Sequence, residues 1–367
     1  MEDIHRATRR YEQWLAGFMP LRAADLREKH RRMALGPFLF LRATYYRWCQ
    51  LWRARTAEVG AAAPVTAVGD LHLENFGTWR DSDGRLIWGI NDFDETVTLP
   101  WTQDLVRLAV SAHLAILADH LVVRRRTACG AILEGYRDGL AAGGRPFVLE
   151  ETHGWLRRAA TGELRHPTAF WERLNELPTV RDVDPGAAAA ITAAMPSRRL
   201  AIRFARRVAG LGSLGRPRFV GIADWRGGDV AREAKATAPS AWRWACGSRL
   251  TAHAAYTTVL ARAVRVPDPT VHVAGGWLVR RLAPHCSRIE LADLPFQRDE
   301  ERLLYAMGFE TANVHLGTPR IGATLRRQLD ARRGLWLHTL AKGLTGEVMR
   351  EWKEWRAANG RGPRGGP

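Results

Sequence analysis

From about Tyr11 to Arg55 apolar residues recur at helical spacing, first up to Gly36-Pro37 and then through FLFLRATYYRWCQLW, so two helices are expected to open the chain. Pro64 to Val68 reads as a short strand. RLIWGI reads as a second one, and Asp81-Ser82-Asp83-Gly84 before it has the composition of a tight hairpin turn. After Pro100 the helical period returns to about Arg145, and further helices are expected over Glu150 to Leu177 and Ala187 to Arg206. The texture then changes. AGLGSLGRPRFVGIAD, DVAREAKAT and VHVAGGWLVRRL combine glycine with strand-like alternation, and a helix, SAWRWACGSRLTAHAAYTTVLARAV, separates the last two. From about Asp299 to Trp355 the pattern is helical again, and GRGPRGGP reads as a disordered tail. No internal repeat is visible.

These changes divide the chain into an N-terminal helical segment (1–63), a helical lobe bearing acid-rich loops (64–200), a sheet lobe with glycine turn and lysine strand (201–285), C-terminal helices completing the helical lobe (286–358) and the tail (359–367). The expected class is α/β, of the α+β kind, with a largely helical lobe and a small antiparallel sheet.

Composition changes this picture little. At 367 residues, 46% of them hydrophobic, the chain can bury a large core. Cys49, Cys129, Cys246 and Cys286 lie too far apart in sequence for a paired zinc knuckle or a dense disulfide framework, which fits a cytoplasmic location. The most apolar run, LVRLAVSAHLAILADHLVV, is interrupted by Arg107, His113, Asp119 and His120, so no membrane span is expected. The formal charge is +17, almost all from arginine, since Lys29, Lys235, Lys342 and Lys353 are the only lysines. Such a surface could attract nucleic acid, but the arginines form no basic arm or basic-aromatic repeat, and a solvated arginine surface is the plainer reading.

Against that charge, Gly69 to Glu95 carries seven carboxylates and two arginines. Asp70 and Asn75 stand in D-L-H-L-E-N after the first strand, and Asp92 and Asp94 flank a phenylalanine after the second. Phosphoryl transfer from ATP needs an acid to orient the acceptor hydroxyl, an amide for Mg²⁺ and a carboxylate on the metal that bridges the phosphates. Asp70, Asn75 and Asp92 supply these in order. Turn capping is the bland alternative for each residue alone.

Gly210, Gly212 and Gly215 have G-x-G-x-x-G spacing around Ser213, and a strand follows where a dinucleotide-binding fold would place a helix. A hairpin lid over phosphates is the expectation, with Lys235 on the adjoining strand reaching them. These elements follow the acids in the chain, the reverse of an ordinary kinase, so the expected arrangement is a circular permutation that brings Lys235 to face Asp92.

RMALGPFLFLR, GDLHLENFG, INDFDETVTLPWTQDLVRLA, AGLGSLG and the lysine strand followed by Pro239-Ser240 resemble the bacterial family catalogued as domain of unknown function 2252, over about Met33 to Gly317. The motifs are similar to those of the protein-kinase-like superfamily, especially aminoglycoside and choline phosphotransferases with their H-G-D-x-H-x-x-N loop. The resemblance implies Asp70 as catalytic acid, Asn75 and Asp92 as metal ligands, Lys235 as phosphate lysine and Asp104 as the buried acid that steadies the catalytic loop. Two departures stand out. Val68 replaces the loop's first histidine, and Ala236 and the acid-free helix Ser240 to Val264 leave Lys235 without a helix carboxylate, a place that Glu233 could take.

His72 is expected to touch the loop or the substrate or to make a loop-stabilising hydrogen bond. Arg42, Arg280 and Arg281, which could reach phosphate, are expected in surface or structural pairing, and His315 in a buried structural role beneath the loop. The expected activity is ATP- and Mg²⁺-dependent transfer to a hydroxyl of a small polar molecule, with a protein substrate as a further acceptor class. A pseudokinase acting as a nucleotide-binding interaction module and a nucleic-acid-binding protein are the alternatives.

Overall fold

The structure, a computed structural model, describes residues 2–59, 61–149, 153–160, 166–247, 252–284, 286 and 299–359. The expected tail lies outside these apart from Asn359. The chain opens with four helices where two were expected: α1 (Ile4–Ala16), α2 (Ala23–Leu35), α3 (Pro37–Ala43) and α4 (Tyr45–Val59). Asp3 caps α1 by accepting from Arg6 N at 2.8 Å, and Pro20 follows the end of that helix. Thr44 divides the second expected helix by leaving helical geometry (φ −123°, ψ 40°).

Next come β1 (Pro64–Ala67), a one-turn 3₁₀ segment (Leu73–Asn75), β2 (Phe76–Arg80), β3 (Leu86–Ile90) and β4 (Val97–Pro100). β2 and β3 form the hairpin around the Asp81–Arg85 turn, where Asp81 Oδ1 accepts from the backbone N–H groups of Asp83 and Arg85 at 3.0 and 2.8 Å. The helical block after Pro100 is two helices, α5 (Thr102–Leu117) and α6 (Arg125–Ala141), parted at Asp119, whose φ is +57°. After β5 (Phe147–Val148) follow α7 (Gly154–Ala160), α8 (Pro167–Asn175) and α9 (Pro185–Ala194).

One expectation is corrected here. The helix read over Ala187 to Arg206 stops at Ala194, before Pro196, and Arg203–Arg206 is instead strand β6. Proline cannot continue the helical hydrogen-bond ladder, and Arg203 to Arg206 pairs with the next strand. That strand is β7 (Arg218–Asp224), followed by β8 (Asp229–Ala236), α10 (Ala241–Cys246), α11 (Ala252–Arg262), β9 (His272–Ala274) and β10 (Trp277–Leu282). They build an antiparallel sheet of order β6-β7-β8-β10-β9, with Arg218 and Leu278 opposite Lys235 on its two sides. α12 (Glu300–His315), α13 (Gly322–Asp330) and α14 (Trp336–Asn359) complete a mixed α/β molecule with small antiparallel sheets.

The densest helix contact is α6 against α12, and its sequence cause is a ladder of small residues. A Cβ at Gly135 would lie 1.9 Å from Tyr305 O, and one at Gly308 would lie 2.1 Å from Ile132 O. Backbone therefore touches backbone, which anchors α12 and the buried residues Glu310, Asn313 and His315 beneath the acid-rich loops.

Candidate functional site

The loop from Val68 to Asn75 is set from below. Asp104, wholly buried near the start of α5, accepts from Val68 N at 2.7 Å and Gly69 N at 3.0 Å, and His315 Nε2 lies 3.1 Å away. His315 Nδ1 meets the Tyr136 hydroxyl at 2.8 Å, so α6 and α12 reach the loop through one hydrogen-bonded chain. Gln103 Nε2 donates to Gly69 O at 3.1 Å. Gly69 turns there with φ +85°, and a Cβ on it would lie 2.4 Å from Glu95 O. Only glycine fits both demands.

Asp104→Ala leaves two buried N–H groups without an acceptor. Each such loss costs about 1–3 kcal/mol. The expected outcome is a destabilisation of about 2–6 kcal/mol in denaturant unfolding, and a change under 0.5 kcal/mol would contradict this account of the loop.

Within the loop, His72 N donates to Asn75 Oδ1 at 2.7 Å, and His72 Nδ1 accepts from Glu74 N at 3.2 Å, which caps the 3₁₀ turn. Asn75 Oδ1 keeps its second lone pair. Asp70 projects beside this turn and is gripped by Arg107, whose Nε donates to Oδ1 at 2.9 Å while Nη2 contacts the same oxygen and donates to Leu41 O at 3.0 Å. Burial pushes the Asp70 acid up to about 6, with Arg107 opposing the rise. Arg107 itself is wholly buried, stacked over Tyr45 and Trp48 at 4.9 and 5.0 Å.

The second acidic loop reaches the sheet. Lys235 Nζ on β8 lies 2.6 Å from Asp94 Oδ2 and 3.8 Å from Asp92 Oδ1, across more than 140 positions of sequence. Burial opposes the ionised form of Asp94, but Lys235 and Arg216 outweigh it and hold the acid below its usual range. Asp92 is 44% exposed, opens into the cleft and accepts from Asp94 N at 3.2 Å. Asp92 and Asn75 are thus hard oxygen donors with free lone pairs, the kind Mg²⁺ takes together with phosphate oxygens and water.

Glu233 does not take the place considered for it. It accepts from Arg207 Nη1 at 2.6 Å, Arg218 Nη1 at 2.7 Å and Arg280 Nε at 2.9 Å, so three guanidiniums claim the carboxylate, which they hold far below its usual range against the cost of burial. The carboxylate on Lys235 comes from Asp94, two residues past Asp92. Arg280 is thereby in structural pairing, as is Arg42, 2.5 Å from Glu74 Oε2. Arg281 engages through its backbone, donating to Thr270 Oγ1 at 3.2 Å.

The glycine turn joins β6 to β7 as a hairpin, with Gly210 at φ +74° and Gly215 at φ +99°. It lies against α3 and over Asp70: a Cβ on Gly212 would come within 3.1 Å of Arg42 O and 3.8 Å of Asp70 Oδ2. Ser213 Oγ accepts from Arg218 Nη2 at 2.9 Å, and Lys29 Nζ donates to Gly212 O at 3.2 Å. Burial lowers the Lys29 ammonium to about 8.

Asp70, Asn75, Asp92, Asp94, Lys235 and the glycine turn line one open cleft of about 1190 Å³. Its described walls carry nine arginines and two lysines against five acids, with Phe170, Leu174, Leu177, Val180 and Leu282 forming an apolar end. Among the charged residues missed from sequence are Arg107, which grips Asp70, and Lys29, Glu95 and Arg216 in the cleft wall. Arg107 had a readable signal, since a charge inside an apolar helix needs a buried partner. Lys29, Glu95 and Arg216 had none, because each is defined by a distant contact. Glu95 Oε2, for example, accepts from Ala241 N at 2.6 Å at the start of α10, and burial pushes that acid up to about 7.

No helix among the described residues is long and apolar enough to cross a membrane. No curated protein and no solved structure matches the chain. Residues 22–161, which run from before α2 through α7 and carry Asp70, Asn75, Asp92 and Asp104, match the family model described as an uncharacterized protein conserved in bacteria, DUF2252.

Proposed function

We propose that this chain is a phosphotransferase of permuted kinase-like organisation that moves the terminal phosphate of ATP to a hydroxyl. The observation that carries this reading is Lys235 seated on Asp94 and facing Asp92, in a cleft bounded by Asp70 below and the glycine turn above. In this reading Asp70 orients the acceptor hydroxyl and takes its proton as the new oxygen–phosphorus bond forms and the bond to the leaving diphosphate breaks. Lys235, positioned by Asp94, holds phosphate oxygens, and the backbone of Gly210 to Gly215 covers them. Asn75 and Asp92 would hold Mg²⁺, which supplies charge neutralisation at the transferring phosphate. The apolar end of the cleft near Leu282 suits adenine.

The lining also bears on the acceptor. A single-ligand pocket spans about 300–1,000 Å³, so this cleft leaves room beside a nucleotide. Eleven basic side chains against five acids exceed what a magnesium nucleotide neutralises. An anionic or neutral polar hydroxyl compound therefore suits the site better than a polycationic aminoglycoside.

Thermal unfolding with and without Mg²⁺ and ATP tests the shared site. Binding at 100 times Kd stabilises by about 2.7 kcal/mol. Wild type is expected to show such a shift, and Asp92→Ala and Lys235→Ala to lose most of it. An undiminished shift in both variants sinks the proposal.

A further inference from the structure

Behind the site, three helices bring together His113 of α5, Cys129 of α6 and His338 of α14, with one nitrogen or sulfur atom from each lying within 4.8 Å of the other two. Thr345 Oγ1, which donates to Ala341 O at 2.6 Å, also lies 3.3 Å from His113 Nδ1. His113 Nε2 lies 3.3 Å from Cys129 Sγ, and the Arg125 backbone also hydrogen-bonds the ring. His113 and Cys129 are 0% and 3% exposed. His338 completes the trio with its ring centroid 5.3 Å from that of His113, and its buried Nδ1 has no hydrogen-bond partner among the described residues.

We propose that His113, Cys129 and His338 form a Zn²⁺ site, independent of the phosphoryl-transfer cleft, that clasps α14 to α5 and α6. Zinc at about 2.0–2.1 Å from nitrogen and 2.3 Å from sulfur sets a tetrahedral edge near 3.5 Å, which the His113–Cys129 pair already approaches. The partly exposed His338 closes the remaining gap by rotation of roughly 1 Å. Two imidazoles and a thiolate select zinc over magnesium or calcium, which take oxygen ligands. The Thr345–His113 bond is the outer contact that orients a metal-bound imidazole. On binding, the zinc–sulfur bond replaces the Cys129 S–H bond and the proton passes to solvent. Three protein ligands leave the fourth position to water.

The test uses the full chain without a histidine tag, stripped of metal and titrated with Co²⁺ and then Zn²⁺. One equivalent of Co²⁺ should produce a sulfur-to-metal charge-transfer band and visible d–d bands, which Zn²⁺ bleaches. Cys129→Ser should abolish the charge-transfer band, His338→Ala should weaken Zn²⁺ binding at least about 100-fold, and Thr345→Val should weaken it about 10–100-fold, the usual cost of an outer partner. Cys246→Ser should change nothing. If wild type gives no charge-transfer band, or if the band survives Cys129→Ser, the trio is a buried polar cluster and the proposal fails. Should Cys129→Ser not fold, undiminished Zn²⁺ affinity in His338→Ala is the overturning result.

Discussion

Asp70→Asn is expected to lower phosphoryl transfer by about 10²–10⁴-fold, the usual worth of a positioned general base, while the Mg²⁺·ATP thermal shift stays within about 20% of wild type. Asparagine keeps the shape and can still accept from Arg107, so the loop should hold. It cannot take a proton. The nucleotide contacts assigned to Asn75, Asp92 and Lys235 are untouched by the change. Wild-type activity should also carry a signature of this residue. Burial pushes the Asp70 acid up to about 6, and only the ionised form can accept a proton. Transfer should therefore be constant above about pH 7 and be lost as pH falls through about 6, a limb absent from the residual activity of the variant. The grip of Arg107 on Asp70 Oδ1 also favours a second reading, in which the carboxylate is tied up and the chain binds nucleotide without transferring phosphate. A normal thermal shift in wild type, with no ATP consumption above Asp70→Asn across a panel of hydroxyl acceptors, would select that reading and reject transfer.

Gly308→Ala should give a large loss of stability. Its new methyl would stand 2.1 Å from Ile132 O and 2.9 Å from Ile132 C, so no side chain can yield and α6 and α12 must separate. Overpacking a core costs about 1–3 kcal/mol and occasionally more; a clash with backbone belongs at or above the top of that range, about 3 kcal/mol. Because α12 also carries His315 to Asp104, the helix shift should reach the Val68–Asn75 loop and, on the proposed function, lower nucleotide binding as well. Gly130→Ala is the control. It lies on α6 with nothing within 4 Å of the added methyl, and alanine is favoured over glycine in a helix by about 1 kcal/mol. Unfolding midpoints in urea for both variants decide the matter. Equal midpoints for wild type and Gly308→Ala would refute the close helix contact.

The elements most legible in the sequence were those whose signal is local. The hairpin around Asp81 to Gly84 is stated by its turn residues and its alternating flanks. The strand bearing Lys235 and the helical blocks are stated by their periods. What failed lacked a local signal: Thr44 and Asp119 break helices without a proline or glycine to announce it, and β6 is a strand because β7 pairs with it, not because RFAR alternates.

For the candidate site, the sequence by itself determined the inventory, since D-x-x-x-x-N, D-F-D, the glycine turn and one conspicuous lysine are chemistry written in consecutive residues. Tertiary structure alone decided the partnerships. The sequence offers Glu233 as the acid for Lys235, yet three arginines drawn from β7, β10 and the segment after β6 take it and leave the lysine to Asp94. A charge buried by folding must find its counter-charge among whatever the fold places nearby. That choice depends on distances of a few ångströms between segments far apart in the chain, which no pattern along it records.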